Sequence, residues 1–307
     1  MGGSGGADDA DFFAEARSRG GGVRRTVHSL AMRLYRRNDG WQVEEGGRLS
    51  RLPDFDIDGW LAASDPLAHL SAHARVAAQP SQAAKNLLPL NTQEVWAAGV
   101  TYLRSKTARM EESQQSATAY DRVYDAPRPE IFLKATPRRC AADGEALQLR
   151  DDSKWMVPEP ELALVIAANG GIVGYTICDD LSCRDIEGEN ALYLPQAKIW
   201  DKCCAIGPSI LVADGTVDIR ASTITLTIRR EGGVAFTGST PISRIKRTFE
   251  ELVGYLFRNH TFPTGVVLST GTGIVPPDEF TLKPDDRVAM EIPEIGRLVN
   301  TMQGGTM

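Results

Sequence analysis

Pro158-Glu159-Pro160-Glu161-Leu162-Ala163-Leu164-Val165-Ile166 opens the stretch whose reading decides the fold, and it runs on through Ala168-Asn169-Gly170-Gly171 to Asp179-Asp180. The unbroken apolar run 162–166, bounded by turn residues, reads as a buried strand. Asn169-Gly170 between two apolar runs predicts a hairpin with a two-residue type I′ turn, and residues 172–177 supply the return strand. If Ala168 pairs with Gly171, counting outward sets Asp180 opposite Glu159. Glu159 and Glu161 are i and i+2, so both carboxylates leave one face. Directly paired residues hold their Cβ atoms about 5 Å apart, and like charges so placed destabilise a sheet. A cation is therefore expected among the three carboxylates. None of the four histidines falls in this stretch, which leaves oxygen ligands. Such a set suits Mg²⁺, with Mn²⁺ or Ca²⁺ as alternatives. The competing reading is a solvated acidic edge, because proline is barred from central strand positions.

A chain of 307 residues with 42% apolar content can build a sizeable core, in one large domain or two smaller ones. The net charge of −6 argues against a general nucleic-acid or membrane-surface binder. No apolar run approaches the roughly 20 residues of a transmembrane helix, and the N-terminus lacks a hydrophobic signal core. The five cysteines, Cys140, Cys178, Cys183, Cys203 and Cys204, are odd in number and include an adjacent pair. They read as reduced thiols of a cytoplasmic protein rather than a disulfide framework, and no zinc-ligand spacing appears.

Residues 1–22, rich in Gly, Ala, Asp and Arg, read as a mobile tail. Residues 23–90 read as a small N-terminal α+β domain, with a strand pair turning at Asn38-Asp39-Gly40 and short helices over 58–76. His69 and His73 lie four apart there without a third ligand nearby, and packing is the simpler role. Residues 91–307 form the main domain. A buried strand covers 95–102, a polar helix 103–123 with Arg109 and Glu112 among its charges, and a strand 129–134. A short helical piece covers 184–190, a hairpin 223–237, and the clearest amphipathic helix 243–257. The apolar strand 265–269 ends at Thr270-Gly271-Thr272-Gly273, and closing strands follow over 285–299. With no repeated βαβ unit and no dinucleotide fingerprint, the class is α+β with a mainly antiparallel and mixed sheet.

Asp180-Leu181-Ser182-Cys183-Arg184-Asp185 resembles the Asp-x-Ser-Ala-Arg-Asp signature of the fumarylacetoacetate hydrolase superfamily. Glu159-x-Glu161, Lys198 and Thr270–Gly273 fit the same pattern in order, across roughly residues 94–302. The resemblance implies a rolled, mixed β-sandwich core, a homo-oligomer (dimer or tetramer), and Glu159, Glu161 and Asp180 as Mg²⁺ ligands. An ion held there with open positions polarises a carbonyl as a Lewis acid. A 2-oxo acid suits it, since carboxylate and keto oxygens chelate together. Lys198, if neutral, is a base; if charged, it holds the substrate anion. Thr272 beside its glycines can hydrogen-bond substrate oxygens. Arg184 and Asp185 read as a structural ion pair.

One departure from the superfamily bears on the reaction. Hydrolytic members carry Asn-Tyr-x-x-His after the first buried strand, whereas this chain reads Thr101-Tyr102-Leu103-Arg104-Ser105. Ser105 stands in the place of the histidine, and serine is no general base at neutral pH. Glu187 likewise replaces a glutamine of the hydrolases. Residues 99–105, 124–130 and 271–277 look like the branch of 2-dehydro-3-deoxy-D-arabinonate dehydratases of pentose oxidation. That branch removes water from a 2-oxo-3-deoxy sugar acid to give 2,5-dioxopentanoate. The resemblance implies Lys198, Glu130 and Thr272 around the reacting carbons. Tyr102, Arg104, Ser105, Lys134 and Arg184 are expected to contact substrate. Lys198 would take a C3 proton and protonated Glu130 would give one to the departing C4 hydroxyl. The bland alternative for Glu130 is a strand-start carboxylate paired with Arg128. Two other functions compete: a superfamily carbon–carbon hydrolase or 2-oxo-acid decarboxylase, and a sugar-acid binding protein.

Overall fold

The central hairpin forms from the expected residues. The computed structural model describes residues 31–79, 84–103 and 122–304. In chain order the strands are β1 (Arg33–Arg37), β2 (Gly40–Glu45), β3 (Arg48–Arg51), β4 (Val76–Ala77), β5 (Val95–Gly99), β6 (Glu130–Ala135), β7 (Cys140–Ala141), β8 (Ala146–Gln148), β9 (Met156–Val157), β10 (Pro160–Ile166), β11 (Ile172–Asp180), β12 (Ser182–Cys183), β13 (Cys204–Val212), β14 (Thr223–Arg230), β15 (Gly233–Pro241), β16 (Val266–Ser269), β17 (Arg287–Ile292) and β18 (Gly296–Gln303). Among the described residues the α-helices are α1 (Ile57–Ala62), α2 (Pro66–Ala72), α3 (Arg184–Glu189), α4 (Leu194–Lys198) and α5 (Phe249–Leu256). Among the described residues, one sheet has eleven strands in the order β4-β3-β2-β1-β13-β11-β10-β16-β5-β6, with β7 beside β13. A second has five, in the order β15-β14-β17-β18-β8. Both are mainly antiparallel. The pairs β16–β5, β13–β7 and β18–β8 are parallel, so the α+β class with mixed sheet holds.

The unbroken apolar run of β10 has a simple cause: both faces of the large sheet are covered. Leu162, Leu164 and Ile166 share a core with Leu226 and Ile228 of β14, Met290 of β17 and Leu252 of α5. Ala163 and Val165, pointing the other way, share a second core with Trp60 and Leu61 of α1 and Leu70 of α2. The N-terminal segment, expected to stand as a unit of its own, adds strands to the large sheet through β1 and β13 (Arg33↔Leu211, Leu34↔Ile210). Its Trp41 and Val43 pack into the same core as Val165.

Two local expectations need correction. The β10–β11 turn is not type I′, which would need positive φ at both central residues. Only Gly170 is left-handed, at φ +83°. Ala167 N donates to Gly171 O at 2.8 Å and Gly170 N to Ala167 O at 2.9 Å, closing a three-residue loop. This shifts the pairing by one residue, and an irregularity between Val165 and Ile166 shifts it back (Ile166↔Ile172, then Val165↔Gly174). The bulged residue is Val173. Pro160 then faces Asp179, and Asp180 N donates to Glu159 O at 3.0 Å. The expected juxtaposition of Glu159 and Asp180 is reached by two offsetting irregularities. The amphipathic helix expected from residue 243 starts instead at Phe249. Thr248 caps it, its side chain accepting from Glu251 N at 3.1 Å, while Ile242–Arg244 make a 3₁₀ turn. The tail 1–22, Arg104, Ser105 and most of the polar helix over 103–123 lie outside the described residues.

Candidate active site

The hairpin delivers Glu159, Glu161 and Asp180 to one place. One carboxylate oxygen from each lies within 4.8 Å of the others, and all three residues are at most 3% exposed. The solvated-edge reading therefore fails. Pro160 is tolerated because it opens β10, and β16 pairs with β10 only from Ala163 onward.

Three cations surround two of these carboxylates. Lys198, the last residue of α4, is buried; its Nζ donates to Glu159 Oε2 at 2.8 Å, Asp180 Oδ2 at 3.1 Å and Ser182 Oγ at 2.6 Å. Ser182 Oγ gives its own proton to Asp180 O at 2.8 Å, so toward Lys198 it only accepts. Arg184 Nη2 lies 2.6 Å from Glu159 Oε1. The expected Arg184–Asp185 pair is not what forms, because Asp185 accepts from Ser153 Oγ and Lys154 N, each at 2.7 Å. Lys134 is fully buried, 2.8 Å from Asp180 Oδ1, and donates to Leu181 O at 2.7 Å and Lys198 O at 2.5 Å. An ammonium has three protons, so this one is used up on the protein. Lys134 thereby anchors Asp180 and the end of α4. Burial alone would lower its pKa, but the Asp180 carboxylate outweighs that and holds it above the ordinary lysine value.

Glu161 differs from its neighbours. It accepts from Ser269 Oγ and from Gly271 N, the latter at 2.7 Å. Among the described residues no cation lies within ion-pair distance of it. Burial, then the charges of Asp180 and Glu159, push its pKa well above the usual carboxylate range. Like-charge repulsion at Glu161 is thus only partly offset by Ser269 and Lys198, in a buried cluster of hard oxygen donors. These residues fit a divalent cation such as Mg²⁺.

Gly99, Val100, Phe132, Gly271 and Thr272 close a small cavity over the carboxylates and Lys198. Strand alternation turns Glu130 and Phe132 of β6 to a common side, and Lys134, at the β5–β6 irregularity, reaches the Asp180 carboxylate. The Phe132 ring lies 5.6 Å from Lys198 Nζ. Thr272 is buried, its Oγ1 engaged with the Ile274 backbone at 3.2 to 3.3 Å. Tyr102 packs beneath the same loop; a Cβ on Gly273 would stand 2.6 Å from its ring. Burial, then the Glu161 charge, raise the Tyr102 phenol above its ordinary value. The alternative partner for Glu130, Arg128, has its guanidinium over the Tyr255 ring at 5.5 Å.

Sequence reasoning passed over three contributors: Ser182, Ser269 and Asp179. Asp179 Oδ1 accepts from Glu159 N at 3.1 Å, and burial lifts its carboxyl to about 8. The doubled Asp179-Asp180 was the available signal. Ser269 offered only its place before the Thr270 loop.

Residues 94–303 match the fumarylacetoacetate (FAA) hydrolase C-terminal family. The chain belongs to that family. Within this FAA hydrolase family it is 47% identical over 218 residues to 2-dehydro-3-deoxy-D-arabinonate dehydratase of Saccharolobus solfataricus, covering 70% of this chain and 73% of that one. It is 46% identical over 215 residues to a probable 2-keto-3-deoxyxylonate dehydratase of Haloferax volcanii, covering 70% and 74%. The solved structure of 2-keto-3-deoxy-D-arabinonate dehydratase complexed with magnesium and 2,5-dioxopentanoate superposes with a TM-score of 0.77 at 36% identity, over 91% of this chain and 100% of that one.

Proposed function

We propose that this family member is a divalent-metal-dependent dehydratase, a hydro-lyase that converts 2-dehydro-3-deoxy-D-arabinonate to 2,5-dioxopentanoate in pentose oxidation. The observation that carries the reading is Lys198 Nζ, buried on Glu159 and Asp180 at the wall of the cavity these carboxylates share with Glu161. The dehydratases it resembles, one of them solved with magnesium and the dioxo product, support the same chemistry.

Glu159, Glu161 and Asp180 would hold the ion, which when bound polarises the 2-oxo group of the substrate and so acidifies the adjacent C3–H. Lys198 would take the C3 proton as the neutral amine, its ammonium proton having been lost to water once a cation takes over the charge of Glu159 and Asp180. Its three acceptors fix Nζ against the cavity, so the amine is placed before substrate arrives. Glu130, in protonated form, gives its proton to the C4 hydroxyl, which leaves as water; the 5-hydroxy-2-oxo-3-enoate so formed is an isomer of the dioxo product and reaches it when C5 and its hydroxyl each give up a proton and C3 and C4 each take one up. Arg184 and Lys134 keep Glu159 and Asp180 in place. Phe132 and Val100 exclude water, and Thr272 contributes a hydroxyl near the substrate oxygens. The homo-oligomeric state and cytoplasmic setting belong to this same proposal. Five buried cysteines, all free thiols, are compatible with a reducing compartment. Among the described residues no helix is long and apolar enough to cross a membrane.

The test is product analysis. With Mg²⁺ and 2-dehydro-3-deoxy-D-arabinonate, mass spectrometry should show loss of one water, and in deuterated water the dioxo product should carry deuterium at C3. Carbon–carbon cleavage, release of carbon dioxide, or tight binding of the sugar acid without turnover would overturn the reading.

A further inference from the structure

We infer that Gly99 is a positioning residue for Glu130: the side chain Gly99 lacks is the space the Glu130 carboxylate occupies. The two residues are direct partners across the β5–β6 pair, so their side-chain positions face the same way. A Cβ placed on Gly99 would stand 2.0 Å from Glu130 Oε2, 2.6 Å from its carboxyl carbon and 3.3 Å from its Cγ. Non-bonded carbon and oxygen atoms do not approach so closely; their favourable separation is roughly 3.5 Å. The carboxylate is therefore packed against the Gly99 Cα, and Gly99 itself lines the cavity that holds Lys198.

Backbone conformation does not demand a glycine here. Gly271, in the same cavity, has φ +89°, whereas Gly99 is not among the positive-φ glycines. The three atoms nearest to an alanine Cβ at 99, out to 3.3 Å, all belong to one flexible side chain, that of Glu130. The chain can relieve the overlap by swinging Glu130 away, and the fold survives while the acid leaves its place. A displacement near 1 Å is enough to lower turnover on the order of 10²-fold.

This inference rests on the dehydratase reading of Glu130, and a double-variant cycle separates the two. Gly99→Ala should lower kcat by about 10²-fold, with Mg²⁺ affinity and thermal midpoint close to wild type. Glu130→Gln should lower kcat at least as far, and adding Gly99→Ala to it should cost little more, because the group being displaced has already lost its proton. Gly99→Ala with near-normal kcat beside a crippled Glu130→Gln would overturn the positioning role and leave the acid standing. A fully active Glu130→Gln would overturn both. Equal losses from Gly99→Ala in the two backgrounds would also overturn it, since Gly99 would then act through something else. Should Gly99→Ala fail to fold, Gly99→Ala/Glu130→Ala must unfold at the temperature of Glu130→Ala alone; a double variant as unstable as the single Gly99→Ala would refute the inference.

Discussion

Replacing Lys198 with alanine should move two measurements in opposite directions. Turnover should fall by about 10²–10⁴-fold, the usual worth of a positioned general base. The ammonium also neutralises Glu159 and Asp180 from 2.8 and 3.1 Å. Removing one partner from a buried charge pair costs about 3–5 kcal/mol. Arg184 and Lys134 remain on the same two carboxylates, so the lower end, about 3 kcal/mol, applies to the metal-free protein. A dication replaces the missing charge and no longer meets the repulsion of Lys198. Mg²⁺ should therefore stabilise the variant more than the wild type and bind at least about tenfold tighter, since tenfold corresponds to only 1.4 kcal/mol. Thermal unfolding with and without Mg²⁺, calorimetric titration of the ion, and product formation read the three effects. A variant that turns over within about tenfold of wild type, or that binds Mg²⁺ more weakly, would refute the reasoning.

Chelation should abolish activity and Mg²⁺ or Mn²⁺ restore it, and Glu161→Gln should weaken Mg²⁺ binding by well over tenfold in calorimetric titration; full activity in excess chelator would exclude the metal. The Asp179 carboxyl, lifted from 3.8 to about 8, keeps its proton in the fold when the unfolded chain has lost it. Its contribution is thus favourable at acidic pH and declines as pH rises from about 4 toward 8. Asp179→Asn should flatten that decline in chelator-treated protein, and a melting temperature with unchanged pH dependence would contradict it. Gly170→Val places a β-branched side chain at φ +83° and should destabilise by about 1–3 kcal/mol. Because paired residues from Val165 to Pro160 separate the turn from the site, its Mg²⁺ affinity should stay unchanged in titration.

What could be read from the sequence was whatever repeats locally. The two carboxylates at i and i+2, the apolar run behind them and the glycines around Thr272 each announce themselves within a few residues. Lys198 came with the motif. Choices made by distant partners were not legible. Arg184 prefers Glu159, 25 residues away, over the adjacent Asp185 because Ser153 and Lys154 already occupy Asp185. Lys134 is drawn to Asp180 by a burial that no local pattern shows. The N-terminal strands look self-sufficient until β13 offers Leu211 an edge to share with Arg33. Thr248 outcompetes Ser243 as a helix start because its side chain reaches Glu251 N, and periodicity alone does not register that. Gly99 is the plainest case, since an absent side chain has no meaning until its neighbour is known.

The contacts that fasten Glu161 reach across the chain: 108 residues separate it from Ser269 and 110 from Gly271. Lys134 and the carbonyl of Lys198 are 64 apart. Such long closures are entropically costly and form late, so chains rich in them fold slowly. During synthesis the acidic hairpin emerges well before the strand that carries Ser269. Until β16 slots between β10 and β5, the nascent hairpin has an open edge and Glu161 lacks both of its donors, Ser269 and Gly271. A carboxylate on an exposed strand edge disfavours pairing with a second copy of the same hairpin. Glu161 would thus serve, on the ribosome, to keep unfinished chains apart until β16 closes over it.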